Sequence, residues 1–175
     1  NWNKDFIFSG SIGSYNQSPF FREIRNKYGD INENIKSQKS IHYVLSSDYQ
    51  FSLWDRPFKF NASAYYKYLW DLIPYEINNL QINYLTNKIA SGYATGLDLK
   101  LFGEFVPGVD SWFSLSLLST QEDILGDGYG FIPKPTDQRL KCSIFFQDYL
   151  PTLPKYKVNL NLTYGSGLPF GPNNS

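Results

Sequence analysis

Few residues in this sequence could do chemistry. His42 is its one histidine and Cys142 its one cysteine. Nucleophilic hydrolysis needs a nucleophile, a base and an acid that orients the base. His42 lies on a polar row near the start of a strand-like stretch with no recognisable nucleophile motif beside it, so no enzyme is expected. A lone cysteine leaves no internal disulfide, and one cysteine with one histidine leaves structural zinc without a ligand set. Glu122, Asp123 and Asp127 stand among Gly126, Gly128 and Gly130 and could offer oxygen ligands to calcium. The loop of alternating ligands closed by a glutamate is missing, however, and the segment reads as a flexible surface loop. Asn61-Ala-Ser63 and Asn161-Leu-Thr163 match the glycosylation pattern but fall inside strand-like stretches, and both are set aside. No metal and no cofactor are expected.

Charge excludes a further class. The chain carries 16 basic and 16 acidic residues, so no overall field draws it to nucleic acid or to an anionic surface. Aromatic content is high, with 14 Tyr, 14 Phe and 4 Trp. A helical membrane span needs about 20 predominantly apolar residues, and no such run is present. The negative mean hydropathy would ordinarily indicate a soluble protein. Transmembrane barrels escape that test, because only every second residue of a strand meets lipid and the average cancels.

The stretches that would position any site alternate with period two, as β-strands do. In 56–70 the even positions Phe58, Phe60, Ala62, Ala64, Tyr66, Tyr68 and Trp70 are apolar, while Lys59, Asn61, Ser63, Tyr65 and Lys67 stand opposite. Strands are also predicted over 6–15, 41–54, 96–106, 111–121, 138–148 and 156–164. Leu97, Leu99 and Leu101 oppose Asp98, Lys100 and Glu104. Leu115 and Leu117 oppose serines, and Leu160 and Leu162 oppose asparagines beside Lys157. Strand extensions are expected around Phe20 and Phe21 and around Leu80, Ile82 and Tyr84. The tail 165–175 reads as loop.

Two regularities point to a class. The apolar rows hold one charged residue, Asp148, at a strand end, whereas the opposite rows hold Asp48, Lys59, Lys67, Asp98, Lys100, Glu104, Arg139, Lys141 and Lys157. The connections alternate between long (17–38, 71–93, 124–137) and short (55–57, 107–110, 149–154). All long loops therefore leave one edge of the sheet and all short turns the other, as in outer-membrane barrels. Greek-key sandwiches mix loop lengths at both ends. The expected fold is an all-β, antiparallel up-and-down transmembrane β-barrel. Residues 1–175 form part of one barrel domain and supply about seven of its strands, since an open sheet edge is untenable in lipid.

On this reading Phe58, Phe60, Tyr66, Tyr68, Trp70, Leu97, Leu99, Leu101, Leu115, Leu117, Leu160 and Leu162 face lipid, with Phe58 near the periplasmic end and Trp70 near the outer surface. Cys142 is expected on the same face. A lysine there would cost about 2–4 kcal/mol at the midplane, which assigns the nine charged residues to the lumen. Their mild positive bias reads first as pairing with carboxylates elsewhere in the protein and second as a preference for anionic or polar cargo.

Several stretches carry a family resemblance. They are Gln17-Ser-Pro-Phe-Phe-Arg-Glu-Ile-Arg, Gln38-Lys-Ser-Ile-His, Trp54-Asp-Arg-Pro-Phe-Lys-Phe, Tyr65-Tyr-Lys-Tyr-Leu, Pro74-Tyr-Glu, Tyr93-Ala-Thr-Gly, Gly103-Glu-Phe-Val and Gly167-Leu-Pro-Phe-Gly-Pro. Together they resemble the barrel of TonB-dependent receptors of Bacteroidota, of the type with a carboxypeptidase-regulatory-like N-terminal domain. The resemblance spans essentially the whole chain. It implies a 22-stranded barrel in the outer membrane of a Gram-negative bacterium, closed around a plug, that imports a ligand with energy passed through TonB. The plug, the TonB-contacting segment and the closing strands are expected outside residues 1–175. The implied partners are membrane lipid and, through the plug region, TonB. A related barrel could instead serve as a non-transporting structural subunit that binds lipoproteins or other members of an outer-membrane complex. A soluble carbohydrate-binding sandwich is the third alternative.

Overall fold

Pairing register carries the alternation of the single strands across the whole sheet. In the computed structural model, which describes residues 5–26, 28–78 and 81–169, the elements are β1 (Phe6–Gln17), β2 (Gln38–Leu53), β3 (Arg56–Leu72), β4 (Tyr75–Asn78), β5 (Gln81–Tyr84), β6 (Ala90–Val106), β7 (Val109–Ile124), β8 (Ile132–Pro133), β9 (Leu140–Leu150) and β10 (Leu153–Gly165). The main sheet runs β1-β2-β3-β6-β7-β9-β10, with every pairing antiparallel and β8 paired to β7. One row across it reads Phe8, Ser47, Ala62, Leu99, Leu115, Cys142 and Tyr164; the next reads Ile7, Asp48, Asn61, Lys100, Ser114, Ser143 and Thr163. Directly paired residues share a face. The apolar rows of all seven strands therefore merge into one apolar face, and the charged rows into one polar face.

Among the described residues neither face is covered. The second sheet among the described residues is only the β4–β5 hairpin, so the two packed layers of a sandwich are not formed. Leu45 is 54 % exposed and Leu162 53 %. Buried residues collect instead at the two ends of the strands: Leu72, Ile73, Pro74, Thr86 and Ala90 at the long-loop end, and Phe58, Val109 and Ser111 at the short-turn end. The sheet is open, since β1 and β10 do not pair with each other. Among the described residues no helix is long and apolar enough to cross a membrane.

Strands run longer than the alternation predicts, to 16 or 17 residues in β2, β3, β6 and β7, because backbone pairing continues past the last alternating side chain. The short connections shrink to two residues each: Trp54–Asp55, Pro107–Gly108 and Pro151–Thr152. The six-residue turn expected over 149–154 is thus mostly strand. Trp54 and Asp55 have φ of 54° and 57°, the type I′ geometry whose twist suits a two-residue hairpin. A tryptophan at positive φ is uncommon, and here its ring meets Phe58 edge-on at 6.2 Å. Gly108, at φ 75° after Pro107, completes a type II turn. Gly103 has a different reason to be glycine. The Phe58 ring lies across it, and a Cβ there would sit 2.4 Å from that ring.

The long connections hold more structure than loops. The expected extension near Ile82 and Tyr84 is one arm of the β4–β5 hairpin, with Leu80 outside the described residues. The expected extension at Phe20 and Phe21 is not a strand: Glu23 N–H donates to the Phe20 carbonyl at 2.9 Å, which closes a turn. The segment 122–124 belongs to β7, and Ile132–Pro133 folds back onto that strand. Gly165 ends β10 and the chain from Ser166 to Pro169 is loop; 170–175 lies outside the described residues.

Candidate functional site

Charged side chains come together on the polar face where β2, β3, β6 and β7 lie side by side. Lys59 Nζ lies 3.3 Å from Asp48 Oδ1, and Asn61 Nδ2 donates to the same oxygen at 2.8 Å. Lys100 is next to Asn61 in its row, and its ammonium stands 5.1 Å above the centre of the Trp112 ring. Asp48, Lys59, Asn61, Lys100 and Phe102 line a concavity of about 360 Å3. Its floor continues sideways as aromatic surface, because Phe102 pairs with Trp112 and Trp112 with Phe145. The Trp112 and Phe145 rings stack at 6.0 Å and 22°. Trp112 belongs to the alternation of Ser114 and Ser116, so its place on the polar face was readable in the sequence. The expected strand over 111–121 includes it, although a large ring is not itself a signal of a polar row.

Lysines on this face lean on rings. Lys67 lies 5.2 Å from the centre of the Tyr65 ring and Lys157 lies 5.3 Å from that of Tyr149, as Lys100 does over Trp112. Each contact contributes about 0.5–1 kcal/mol at an exposed site and leaves the positive charge in place. Asp98 shares a row with Ser63, Ser116 and Lys141. Arg139 and Glu104 reach the same face but sit at its ends. Arg139 precedes β9 alongside Leu118 and binds Asp137, while Glu104 accepts the Gly108 N–H at 3.1 Å in the short turn.

His42 does not assemble a catalytic group. Its Nε2 lies 3.0 Å from Ser40 Oγ and its ring packs at 4.4 Å on Tyr15. Its cross-strand partner is Lys67, a cation where a carboxylate would be needed to orient the imidazole. Among the described residues no group of three or more His, Cys, Asp or Glu side chains is arranged to hold a metal.

Rings on the apolar face form two bands. Tyr66, Tyr68, Trp70 and Tyr93 occupy the long-loop end, with centroids 6.2 Å apart for Tyr66–Tyr93 and 5.8 Å for Tyr68–Trp70. Tyr49, Phe51, Phe58 and Phe105 occupy the other end, at 5.3, 5.7 and 5.1 Å in succession. Between the bands lie Leu45, Ala62, Ala64, Leu97, Leu99, Leu115 and Leu117.

The long-loop end is locked by buried charge. Glu122, expected in a flexible loop, is 2 % exposed in β7, with Lys134 Nζ 2.8 Å from its Oε2. That approach lies off the hydrogen-bonding direction, so the contact is ionic. Asp137, also 2 % exposed, accepts the Thr120 N–H at 2.7 Å and the Arg139 guanidinium. Lys39 joins Asp71 at 3.0 Å, and Asn32 Nδ2 reaches the Thr86 carbonyl at 2.8 Å. The first long connection is thus tied to the second, and the third to β7. Spacing along the chain could not show Lys39–Asp71, Asn32–Thr86 or Lys134–Glu122, which meet only once the sheet and its loops have formed. Compared with family models, curated proteins and solved structures, the chain matches none.

Proposed function

We propose that this chain is part of an outer-membrane β-barrel of the TonB-dependent receptor kind, and that the protein takes up a ligand across the outer membrane. The observation that carries this is one sheet with a continuous apolar face and a charged opposite face, in which every two-residue turn leaves one edge and every long connection the other. In a bilayer the uncovered apolar face is satisfied by lipid and the polar face by a water-filled interior. The two ring bands fit the girdles at the membrane interfaces. From Phe58 to Tyr68 the strand advances by ten residue steps, about 33 Å, which at a 40° tilt projects to about 25 Å, the height of an outer-membrane apolar band.

In such a barrel β1 and β10 meet further strands, which satisfies their open edges. The short turns face the periplasm and the locked long connections face outward. Lipid is one partner; TonB, acting through a plug in the lumen, is the other.

Two measurements test this reading in cells. A cysteine at Gly128, with Cys142→Ser as background, is expected to react with an impermeant maleimide on intact cells; labelling only after lysis would reverse the sidedness. Uptake from a defined solute mixture is expected to lose at least one component when the gene is deleted, and the same component when the proton gradient is collapsed. Unchanged uptake, with outer-membrane proteins lost that normally copurify, would replace transport by the structural-subunit role.

A further inference from the structure

We propose that the cleft between the first and second long connections binds a phosphate monoester, held by Lys36 and Lys88. It lies at the long-loop end of the sheet, where segments 54 residues apart are joined by the hydrogen bond from Asn32 to the Thr86 carbonyl. The site does not require that either face of the sheet meet lipid.

Charge sets the ligand class. The cleft measures about 340 Å3, with Asn34 and Lys36 on one side and Asp71, Thr86, Asn87 and Lys88 on the other. Its charges do not cancel. The Asp71 carboxylate is already paired, 3.0 Å from Lys39 Nζ. Among the described residues the side chains of Lys36 and Lys88 make no ion pair or hydrogen bond. Two uncompensated ammonium groups on one cavity favour a dianion, and a phosphate monoester, whose second pKa is about 6, is mostly dianionic above neutral pH.

Neutral donors converge with these charges. The Asn34 and Asn87 side chains line the same cleft and, among the described residues, make no hydrogen bond of their own. Each amide offers two N–H donors and each ammonium three. Phosphate oxygens accept such bonds from lysine and asparagine side chains alike. Both walls are fixed in place. Asn32 Oδ1 accepts the Asn34 N–H at 3.0 Å, and the Lys88 N–H donates to the Leu85 carbonyl at 2.9 Å, which closes the turn that presents Asn87 and Lys88. The adjoining hollow shares Asn32, Thr86 and Asn87 but carries Asp30 and, among the described residues, no lysine. A dianion is therefore placed in the first cleft and not in its neighbour.

Ile35 and Ile89 line the cleft beside the polar groups, and Ile89 is 48 % exposed. Covering that apolar edge is favourable, so an ester with a carbon skeleton fits better than inorganic phosphate. The recognised chemistry is the phosphoryl dianion, whether borne by a soluble ester or by a lipid headgroup.

The test is calorimetry on the full-length protein in phosphatidylcholine nanodiscs, with phenyl phosphate as the probe. Saturable binding is expected, with a Kd on the order of 0.1–1 mM. Phenyl sulfate, a monoanion of the same shape, and inorganic phosphate, which lacks the ring, should each bind about fivefold more weakly. Lys36→Gln and Lys88→Gln should each weaken phenyl phosphate binding about fivefold, while Lys36→Arg and Lys88→Arg retain it within about twofold. Both lysines are exposed, so these changes leave packing untouched. Lys59→Gln removes a positive charge at the Asp48 pair on the sheet and should leave the affinity unchanged. Nanodiscs containing phosphatidic acid, compared with phosphatidylglycerol at equal charge, separate the two sources. Competition by phosphatidic acid alone assigns the site to a lipid phosphate monoester, and unchanged binding assigns it to a soluble one. No saturable binding, equal affinity for the phosphate and the sulfate, or equal loss with Lys59→Gln and Lys36→Gln would overturn the proposal.

Discussion

Replacing Leu99 with arginine is expected to stop the full-length protein from assembling in the outer membrane, whereas Ser116→Arg, on the other face of the same sheet, is expected to be tolerated. Leu99 stands mid-strand on the apolar face between Ala62 and Leu115. If that face meets lipid as proposed, an arginine there costs about 2–4 kcal/mol near the midplane, a large share of the roughly 5–15 kcal/mol net stability of a typical folded domain. Ser116 lies between Asp98 and Lys141 on the polar face. A guanidinium at that position can remain hydrated or pair with Asp98, for a net change within roughly 0.5 kcal/mol. The readout is the fraction of protein that migrates as the compact, heat-modifiable form on a cold detergent gel. Equal loss for both variants, or none for either, would contradict the assignment of the two faces.

The second large effect is expected at Asp137. Its carboxylate is almost wholly buried, holds the Thr120 N–H and binds Arg139. Asp137→Ala leaves that buried N–H without its acceptor and frees the segment 125–139 from β7. Leaving a buried N–H without its acceptor costs about 1–3 kcal/mol, and the ion pair lost with it adds little because Arg139 is half exposed. Because the loss is local, the sheet should persist while this connection opens. Trypsin should then cut after Arg139 in folded protein at least about tenfold faster than in the parent, as the open population rises. Asp137→Asn keeps an acceptor for Thr120 and should fall between the two. Uniform resistance across the three proteins would show that Asp137 does not hold the connection closed.

Alternation made much of the sheet legible. In β3 the chemistry of odd and even positions differs at nearly every step, and the observed pairings carry Phe58, Ala62 and Tyr66 onto one face with Leu97, Leu99 and Leu101. The alternation of long and short connections was legible too, because turns such as Pro107–Gly108 have strong local preferences. The limits of the strands were not. Pairing at 90–95 and 122–124 runs through glycine, threonine and acidic residues that have no strand pattern of their own and are held by neighbours. Lys134–Glu122 and Lys39–Asp71 were hidden for a related reason, since each joins side chains 12 or more positions apart that meet only once the sheet and its loops exist. Phe20 and Phe21 misled in the other direction. Two adjacent rings suggested a strand, yet the backbone closes a turn there and leaves both exposed. The polar-face concavity was half visible: Lys59 and Lys100 stood out as charges in strands, but their relation to Trp112 required the register between β6 and β7.

The central claim, that one face of this sheet meets lipid and the other water, is tested most directly by nitroxide scanning of β6 from Leu97 to Phe102 in the full-length protein reconstituted in bilayers. Each position would be measured against oxygen, which concentrates in lipid, and against a water-soluble nickel chelate. Labels at 97, 99 and 101 are expected to relax chiefly with oxygen and those at 98, 100 and 102 with nickel, a strict period of two. Nickel accessibility at all six positions, or oxygen accessibility without alternation, would contradict the account.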